Sequence, residues 1–143
     1  GGSRGEPMIE FPSVPLPEGT ESAGLLLSRD LIFTSKITGT ARELGHRVMV
    51  AGNVALASTM IEQWKPKVVF VDLAAGELVS VPALISYIKI APPGTPFVAF
   101  GSHVDVAALE AAKSAGCDPV MPRSKFSNEL PSLIRRFFGT LES

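Results

Sequence analysis

Side chains capable of chemistry follow four of the five short apolar runs in this sequence. They are Ser28, Arg29 and Asp30 after the first run, Asp72 at the end of the third, Ser102 and His103 after the fourth, and Arg123 after the fifth. A carboxylate such as that of Asp72 can act as the nucleophile in phosphoryl transfer. Arginine side chains bind phosphate or carboxylate oxygens with paired N–H donors. The residue types therefore favour a phosphate site or an ion pair. Its candidate members are Asp72, Arg29, Asp30, Ser102 and Arg123.

Other catalytic and metal-binding arrangements have weaker support. His103 stands beside Ser102 and near Asp105, but no oxyanion-hole motif or nucleophile elbow accompanies them, which disfavours a catalytic triad. The two histidines and the one cysteine lie far apart along the chain, so a zinc site is not expected. Nucleotide binding lacks support because the sequence contains neither a Walker loop nor a Gly-x-Gly-x-x-Gly motif.

The candidate residues must be positioned by the segments that alternate from Ala23 onward. Short apolar runs predict strands, and the longer amphipathic segments between them predict helices. The strands are expected over 24–28, 47–51, 67–72, 96–100 and 119–121, and the helices over 31–44, 54–64, 81–90, 106–115 and 128–138. Gly45 is the expected C′ residue of the first helix, and Asp105 and Ser127 are the expected N-caps of the last two.

Five strands that alternate with five helices predict an α/β fold. The expected architecture is a five-stranded parallel sheet, doubly wound by helices into a flavodoxin-like three-layer αβα sandwich. Ligands and catalytic groups of such sheets collect beyond the carboxyl ends of the strands. The candidate residues stand at those ends.

The length of 143 residues favours one domain, and the hydrophobic fraction of 45% is typical of a globular protein. We expect the domain over residues 23–139, after a flexible, Pro- and Gly-rich leader over 1–22 and before a tail over 140–143. The leader begins Gly1-Gly2-Ser3 without a methionine, which is typical of a cloning remnant. Four apolar side chains of the leader could pack against the domain: Ile9, Phe11, Val14 and Leu16.

Several classes of partner and location are disfavoured by charge and composition. The net charge is −1 and the Lys and Arg residues are scattered, so binding to nucleic acid or to an anionic membrane is not expected. No apolar run approaches the roughly 20 residues that span a bilayer, and the amino terminus lacks the pattern of a signal peptide. The single cysteine, Cys117, excludes an intrachain disulfide and is expected to be a small buried hydrophobe. A cytoplasmic location is therefore expected.

The order and spacing of these segments resemble the receiver domain of two-component response regulators, over about Ala23 to Phe138. The sequence LLLSRD at 25–30 resembles that family's first strand and acidic turn. The sequence VVFVDL at 68–73 resembles the strand that carries the phosphoacceptor aspartate. TPFVAFGS at 95–102 resembles the strand before the switch hydroxyl, and AGCDPVMPR at 115–123 resembles the segment that leads to the family's lysine.

The resemblance implies that Asp72 is the phosphoacceptor position. Family members hold Mg²⁺ with two acids after the first strand, and here those positions are Ser28 and Arg29, with Asp30 next. A guanidinium repels a cation at any accessible pH, so we expect Mg²⁺ binding to be lost. Arg29 is then a candidate to pair with Asp72 in place of the metal. A solvated surface arginine is the equal alternative.

The remaining positions of the family's site are also changed. The switch hydroxyl falls on Gly101, and Ser102 follows one residue later. The lysine position is Arg123, and the proline that usually follows that lysine is replaced by Ser124. The aromatic residue that many receivers carry on the fifth strand corresponds to Val120.

Three functions remain open from the sequence. The preferred one is an atypical receiver, or pseudo-receiver, that acts by protein–protein interaction, needs no cofactor and is not an enzyme. The first alternative is a true phospho-receiver that accepts phosphate on Asp72 with Mg²⁺ and with Arg29 or Arg123 as the phosphate clamp. The second is a module that binds a small anion with Arg29, Ser102 and Arg123. The expected partner is a histidine kinase, an output protein or a second copy, docked on the fourth helix, fifth strand and fifth helix.

Overall fold

The computed structural model of the protein describes residues 23–139. Its strands are β1 (Gly24–Leu27), β2 (Val48–Ala51), β3 (Val69–Asp72), β4 (Phe97–Gly101) and β5 (Val120–Pro122). Its helices are α1 (Leu31–Glu43), α2 (Val54–Trp64), α3 (Val81–Ile90), α4 (Val106–Ala115), α5 (Arg123–Asn128) and α6 (Leu130–Phe138), with a 3₁₀ turn at Gly76–Val79. The predicted leader and tail lie outside the described residues, so the packing proposed for the leader stays a prediction.

The five strands form one parallel sheet in the order β2-β1-β3-β4-β5. This confirms the predicted doubly wound α/β fold. Strands β1 and β3 are central, and their register places Leu27 opposite Val71. The residues that follow, Ser28 and Asp72, therefore meet at the carboxyl edge of the sheet.

Alternate residues of the central strands face two separate hydrophobic cores. Leu25 and Leu27 of β1 contribute to the core beneath α2, α3 and α4. Leu26 of β1 and Phe70 of β3 point the other way, into the core beneath α1, α5 and α6. All four side chains are at most 1% exposed. Burial on both faces explains why these strands read as continuous apolar runs. Among the described residues, no helix has the length and apolar character needed to cross a bilayer.

Short polar side chains begin the helices at the carboxyl edge of the sheet. Asp30 accepts a hydrogen bond from the N–H of Phe33, and Asp105 accepts one from the N–H of Ala108. Such side-chain caps satisfy N–H groups that have no partner within the helix. The predicted N-cap role of Asp105 is thus confirmed, and Gly45 has the left-handed φ of 85° expected after α1.

The last helical segment differs from the prediction. Helix α5 begins at Arg123, directly after β5, and the expected N-cap Ser127 lies inside it. The N-cap of α6 is Glu129. The early start has a packing cause, because α5 carries the fully buried Phe126 against Phe100, with ring centroids 4.1 Å apart.

Candidate functional site

The carboxylate of Asp72 lies at the end of central strand β3 and the residue is 1% exposed. Its Oδ2 accepts a hydrogen bond from Ser28 Oγ at 2.7 Å. Its Oδ1 accepts hydrogen bonds from Arg123 Nη2 and from the backbone N–H of Ala74, each at 3.0 Å. Burial of a carboxylate is costly unless donors and an opposite charge compensate it. Both oxygens of Asp72 are engaged within the protein.

Ser28 links the end of β1 to the Asp72 carboxylate. The residue is 2% exposed, and its hydroxyl donates to Asp72 while it accepts the backbone N–H of Asp30 at 3.1 Å. A hydroxyl can donate one hydrogen bond and accept two, so both roles are compatible. Ser28 therefore holds the Asp72 side chain in one position.

Arg123 connects two acids at the start of α5. Its Nη2 lies 3.0 Å from Asp72 Oδ1, and its Nη1 lies 3.6 Å from Asp30 Oδ2. Its guanidinium carbon lies 4.8 Å from the ring centroid of Phe33 and 5.8 Å from that of Phe100. These ring faces attract the cation and restrict its movement. With 34% of its side chain exposed, Arg123 is a partly buried ion-pair partner of Asp72.

Arg29 is an exposed arginine, as the second of its two predicted alternatives has it, and does not pair with Asp72. Its Nε donates to the backbone oxygen of Gly52 at 2.9 Å, and the side chain is exposed. Successive residues at a strand end point to opposite sides, so that Ser28 faces the site and Arg29 faces away. Among residues 23–139, the guanidinium that pairs with Asp72 belongs to Arg123.

The switch-hydroxyl position is tightly packed. Gly101 is buried, and a Cβ atom built on it would lie 3.2 Å from both Cβ and Cδ1 of Leu73. The neighbouring Ser102 is exposed, and its hydroxyl accepts the N–H of Val104 at 3.3 Å within the β4–α4 loop. Its hydroxyl oxygen therefore already accepts one hydrogen bond within the loop.

A cleft of about 450 Å³ opens beside Arg123. Its walls are formed by Ala74, Ser102, His103, Arg123, Ser124 and Ser127. The structure therefore brings Asp72, Asp30 and Arg123 together, and Ser102 lines the cleft beside Arg123. The Arg29 side chain instead reaches the backbone of Gly52, which follows β2.

The residues at this edge do not fit Mg²⁺. The ion requires octahedral oxygen ligands, with one or two free carboxylates among them. Here both oxygens of Asp72 are occupied, Asp30 Oδ1 caps α1, and the Arg123 guanidinium contacts both acids. No cluster of three His, Cys, Asp or Glu side chains suited to a metal occurs within residues 23–139. The donor set is that of an ion pair.

Three contributors to the site were missed in the sequence. Ser28 was noted only as a lost acid, although a hydroxyl at a strand end can donate to the acid on the next strand. Phe33 looked like an ordinary helix residue, yet its ring stacks on Arg123. The N–H of Ala74 is a backbone donor, and no side-chain signal marks it.

Comparison with known proteins gives a result at the level of fold. No protein-family model matches the chain, and no curated protein matches it. Solved structures do match, among them the receiver domain of the sensor histidine kinase PA1611 from Pseudomonas aeruginosa PAO1, with a TM-score of 0.69 and 20% identity. That match covers 83% of this chain and 98% of the other, whose structure has a magnesium ion coordinated in the active-site cleft.

Two further matches agree with the first. A response regulator from Thermotoga maritima gives a TM-score of 0.68 at 18% identity, and covers 83% of this chain and 98% of its own. The receiver domain of NtrX from Brucella abortus gives 0.67 at 17% identity, with 82% and 99% covered. The chain therefore has the fold of response-regulator receiver domains, which confirms the resemblance predicted from its sequence.

Proposed function

We propose that this chain is a pseudo-receiver: a signalling module of the two-component type that acts by protein–protein contact and is not phosphorylated through Mg²⁺. The fold supports a signalling module, since receiver domains are its structural neighbours. The details of the carboxyl edge support a site that is fixed rather than switched.

The observation that carries the proposal is the double engagement of the Asp72 carboxylate. Nucleophilic attack on a phosphoryl group requires a carboxylate oxygen that can approach phosphorus in line. Oδ2 is held by Ser28 and Oδ1 by Arg123 and Ala74. An incoming phosphoryl donor must reach a carboxylate that is 1% exposed, and its approach competes with the charge-assisted hydrogen bonds that hold Asp72, which are among the stronger ones in proteins.

Charge compensation points in the same direction. In phosphoryl transfer a metal ion neutralises charge that develops on the phosphoryl oxygens. At this edge the guanidinium of Arg123 already neutralises Asp72, and its second contact is to Asp30. The positive charge is therefore part of the folded protein and does not depend on an ion.

The switch side of the pocket supports a fixed state as well. A side chain at position 101 would press against Leu73, because its Cβ would lie only 3.2 Å from Leu73 Cβ and Cδ1. Position 101 has no hydroxyl that could bind a phosphoryl group on Asp72, so phosphorylation would not be coupled to a movement of the β4–α4 loop. We infer that modification of Asp72, if forced, leaves this loop unchanged.

An exposed apolar rim around the site supports protein contact. The rim consists of four exposed apolar side chains. They are Leu31, Ile32, Val104 and Val106, which are 80%, 86%, 74% and 60% exposed. They flank the site on both sides, at the start of α1 and around the start of α4. The two pairs stand at separate helix starts, and we propose each as a contact point for a partner. The proposed partner is a signalling protein, such as a histidine kinase or an output protein, and a second copy is the alternative.

The test is exposure of the protein to acetyl phosphate with Mg²⁺, followed by intact mass measurement under conditions that preserve acyl phosphates. We expect no species heavier by one phosphoryl group in the wild type or in Asp72→Asn. Asp105→Asn is the matched control, because Asp105 also caps a helix at this edge but is exposed.

A phosphorylated wild type would overturn the proposal if Asp72→Asn alone abolished the adduct. That result would instead support the phospho-receiver, with Arg123 as the phosphate clamp. A different candidate, a small-anion module, is favoured by one observation: the 450 Å³ cleft joins the Arg123 cation to the hydroxyls of Ser124 and Ser127. Saturable shifts of these amide signals with inorganic phosphate, without a covalent adduct, would select it.

A further inference from the structure

A second cleft lies on the outer side of β2, away from Asp72. Its volume is about 590 Å³, and it runs between the last turns of α1 and the β2 strand. Its described walls include Arg42, His46, Arg47, Val48, Met49 and Val50. The lining combines two guanidinium groups with an apolar strand edge.

The free edge of β2 forms the apolar part of this cleft. Strand β2 pairs with β1 alone and so ends the sheet. The N–H of Gly24 bonds the oxygen of Arg47, and that of Ser28 bonds the oxygen of Ala51. The alternation of a parallel ladder then directs the backbone groups of Val48 and Val50 away from β1. An uncovered edge of this kind is a template for pairing with another chain.

The two guanidinium groups of this cleft form no ion pair with an acid in the described part of the chain. Arg42 and Arg47 are exposed, and the ion pairs formed within residues 23–139 involve other cations. Two like charges that line one cleft attract an acidic occupant.

The chain itself supplies an acidic segment next to the cleft. Residues 5–22 carry no Lys or Arg and four glutamates, which are Glu6, Glu10, Glu18 and Glu21. Strand β1 begins at Gly24, whose N–H donates to the oxygen of Arg47 at 2.9 Å. The segment is therefore tethered at the Arg47 end of the cleft, where its effective concentration is high.

We propose that residues 9–21 of the same chain dock in this cleft, with Glu18 and Glu21 opposite Arg42 and Arg47 and with apolar side chains against the edge of β2. Thirteen extended residues can span roughly 43 Å, well beyond the roughly 13 Å of a four-residue strand. Three prolines in the segment lack N–H groups, which suits the outer edge of a sheet. The docked segment then covers β2 and blocks its pairing with other chains.

The test is a paramagnetic label on the leader of the intact chain. Ser13→Cys is labelled with a nitroxide, while buried Cys117 stays unlabelled because burial raises the pKa of its thiol to about 11. We expect the amide signals of Arg47, Met49 and Val50 to broaden and those of Arg123 to stay sharp. Glu18→Lys/Glu21→Lys should largely abolish the broadening, and high salt should reduce it.

Two controls make the outcome decisive. Glu77→Lys reverses an exposed glutamate elsewhere on the described surface and should leave the broadening intact. Restoring opposite charges with Arg42→Glu/Arg47→Glu in the double-lysine variant should recover it. Absence of broadening, or broadening at the Asp72 edge, would overturn the proposal. A mixture of nitroxide-bearing protein and isotope-labelled protein without nitroxide gives a further check. Broadening of the amide signals of the isotope-labelled copy would also overturn the proposal, since the segment would then dock on another molecule.

Discussion

At the scale of single residues, the guanidinium of Arg123 neutralises the acids at the carboxyl edge of the sheet. Arg123 compensates Asp72, contacts Asp30 and stacks on Phe33. The sequence named Arg29 as the candidate to pair with Asp72, with a surface arginine as the equal alternative, and gave Arg123 as the position of the family's lysine. Side chains alternate in direction past the end of β1, but a strand that is apolar on both faces does not show from its sequence which residues face which side. A shift of one residue separates Ser28, which faces the site, from Arg29, which does not.

Replacement of Arg123 should destabilise the protein through Asp72. Arg123→Gln leaves a buried carboxylate with its hydrogen bonds from Ser28 and Ala74 but without its cation. Loss of one partner of a buried pair costs about 3–5 kcal/mol, and partial exposure of Arg123 reduces the expected loss to about 1–3 kcal/mol. Urea unfolding at neutral pH measures the change in the free energy of unfolding.

A double-mutant cycle identifies the cause of that loss. If Arg123 acts through Asp72, the cost of Arg123→Gln should shrink clearly in the Asp72→Asn background. Arg29→Gln is the matched control, since Arg29 is an exposed arginine bonded to a backbone oxygen. An equal loss in both backgrounds, or an equal loss for Arg29→Gln, would contradict the assigned pairing.

Packing between elements sets where each helix begins and how close it comes to the sheet. The sequence predicted α3 over 81–90 and the N-cap of α4 correctly, because polar caps and Pro or Gly residues mark those ends. It misplaced the start of the last helical segment, which depends on the burial of Phe126 between α5 and the sheet. Such a contact between distant segments leaves no local pattern.

Two glycines of these elements should respond oppositely to alanine. Gly39 lies inside α1, and a Cβ there meets no atom within 4 Å, so Gly39→Ala should stabilise the protein by about 0.5–1 kcal/mol through helix propensity.

Gly24 in β1 is crowded, because its Cβ would lie 2.8 Å from Phe138 Cζ and 3.2 Å from Val68 Cγ1. Gly24→Ala should destabilise by about 1–3 kcal/mol. Thermal unfolding of both variants compares them, and a shift of the same sign in both would refute the packing of α6 on β1.

At the scale of the whole molecule, one continuous sheet separates two cores and gathers the polar residues at its edges. Composition and alternation were enough to predict this architecture, since buried parallel strands and amphipathic helices have distinct patterns. The predicted burial of Cys117 is confirmed: it is 3% exposed. Burial raises the pKa of its thiol to about 11 and that of the Tyr87 hydroxyl, which donates to Leu78 O, to about 12.

Stability should therefore fall at alkaline pH. Between the unfolded thiol pKa of 9.0 and the folded value of about 11, the unfolded chain has lost a proton that the folded protein keeps. Proton loss then favours unfolding, and across this pH range the ionisation of Cys117 lowers the free energy of unfolding by about 3 kcal/mol. Cys117→Ala removes that dependence and retains the one due to Tyr87. Urea unfolding from pH 8 to pH 11 should show the wild type losing more stability than the variant, and parallel curves would disprove the assignment.

The most direct test of the central claim is a Mg²⁺ titration followed by amide NMR signals around Asp72. If the Arg123 cation neutralises Asp72 in place of a metal ion, the wild type should show no saturable shift of the amide signals of Leu73, Ala74 or Asp30. A Ser28→Asp/Arg123→Lys variant, which adds an acid that faces Asp72 and places a lysine after β5, should show saturable shifts at the same signals. Saturable binding in the wild type that Asp72→Asn abolishes would contradict the account.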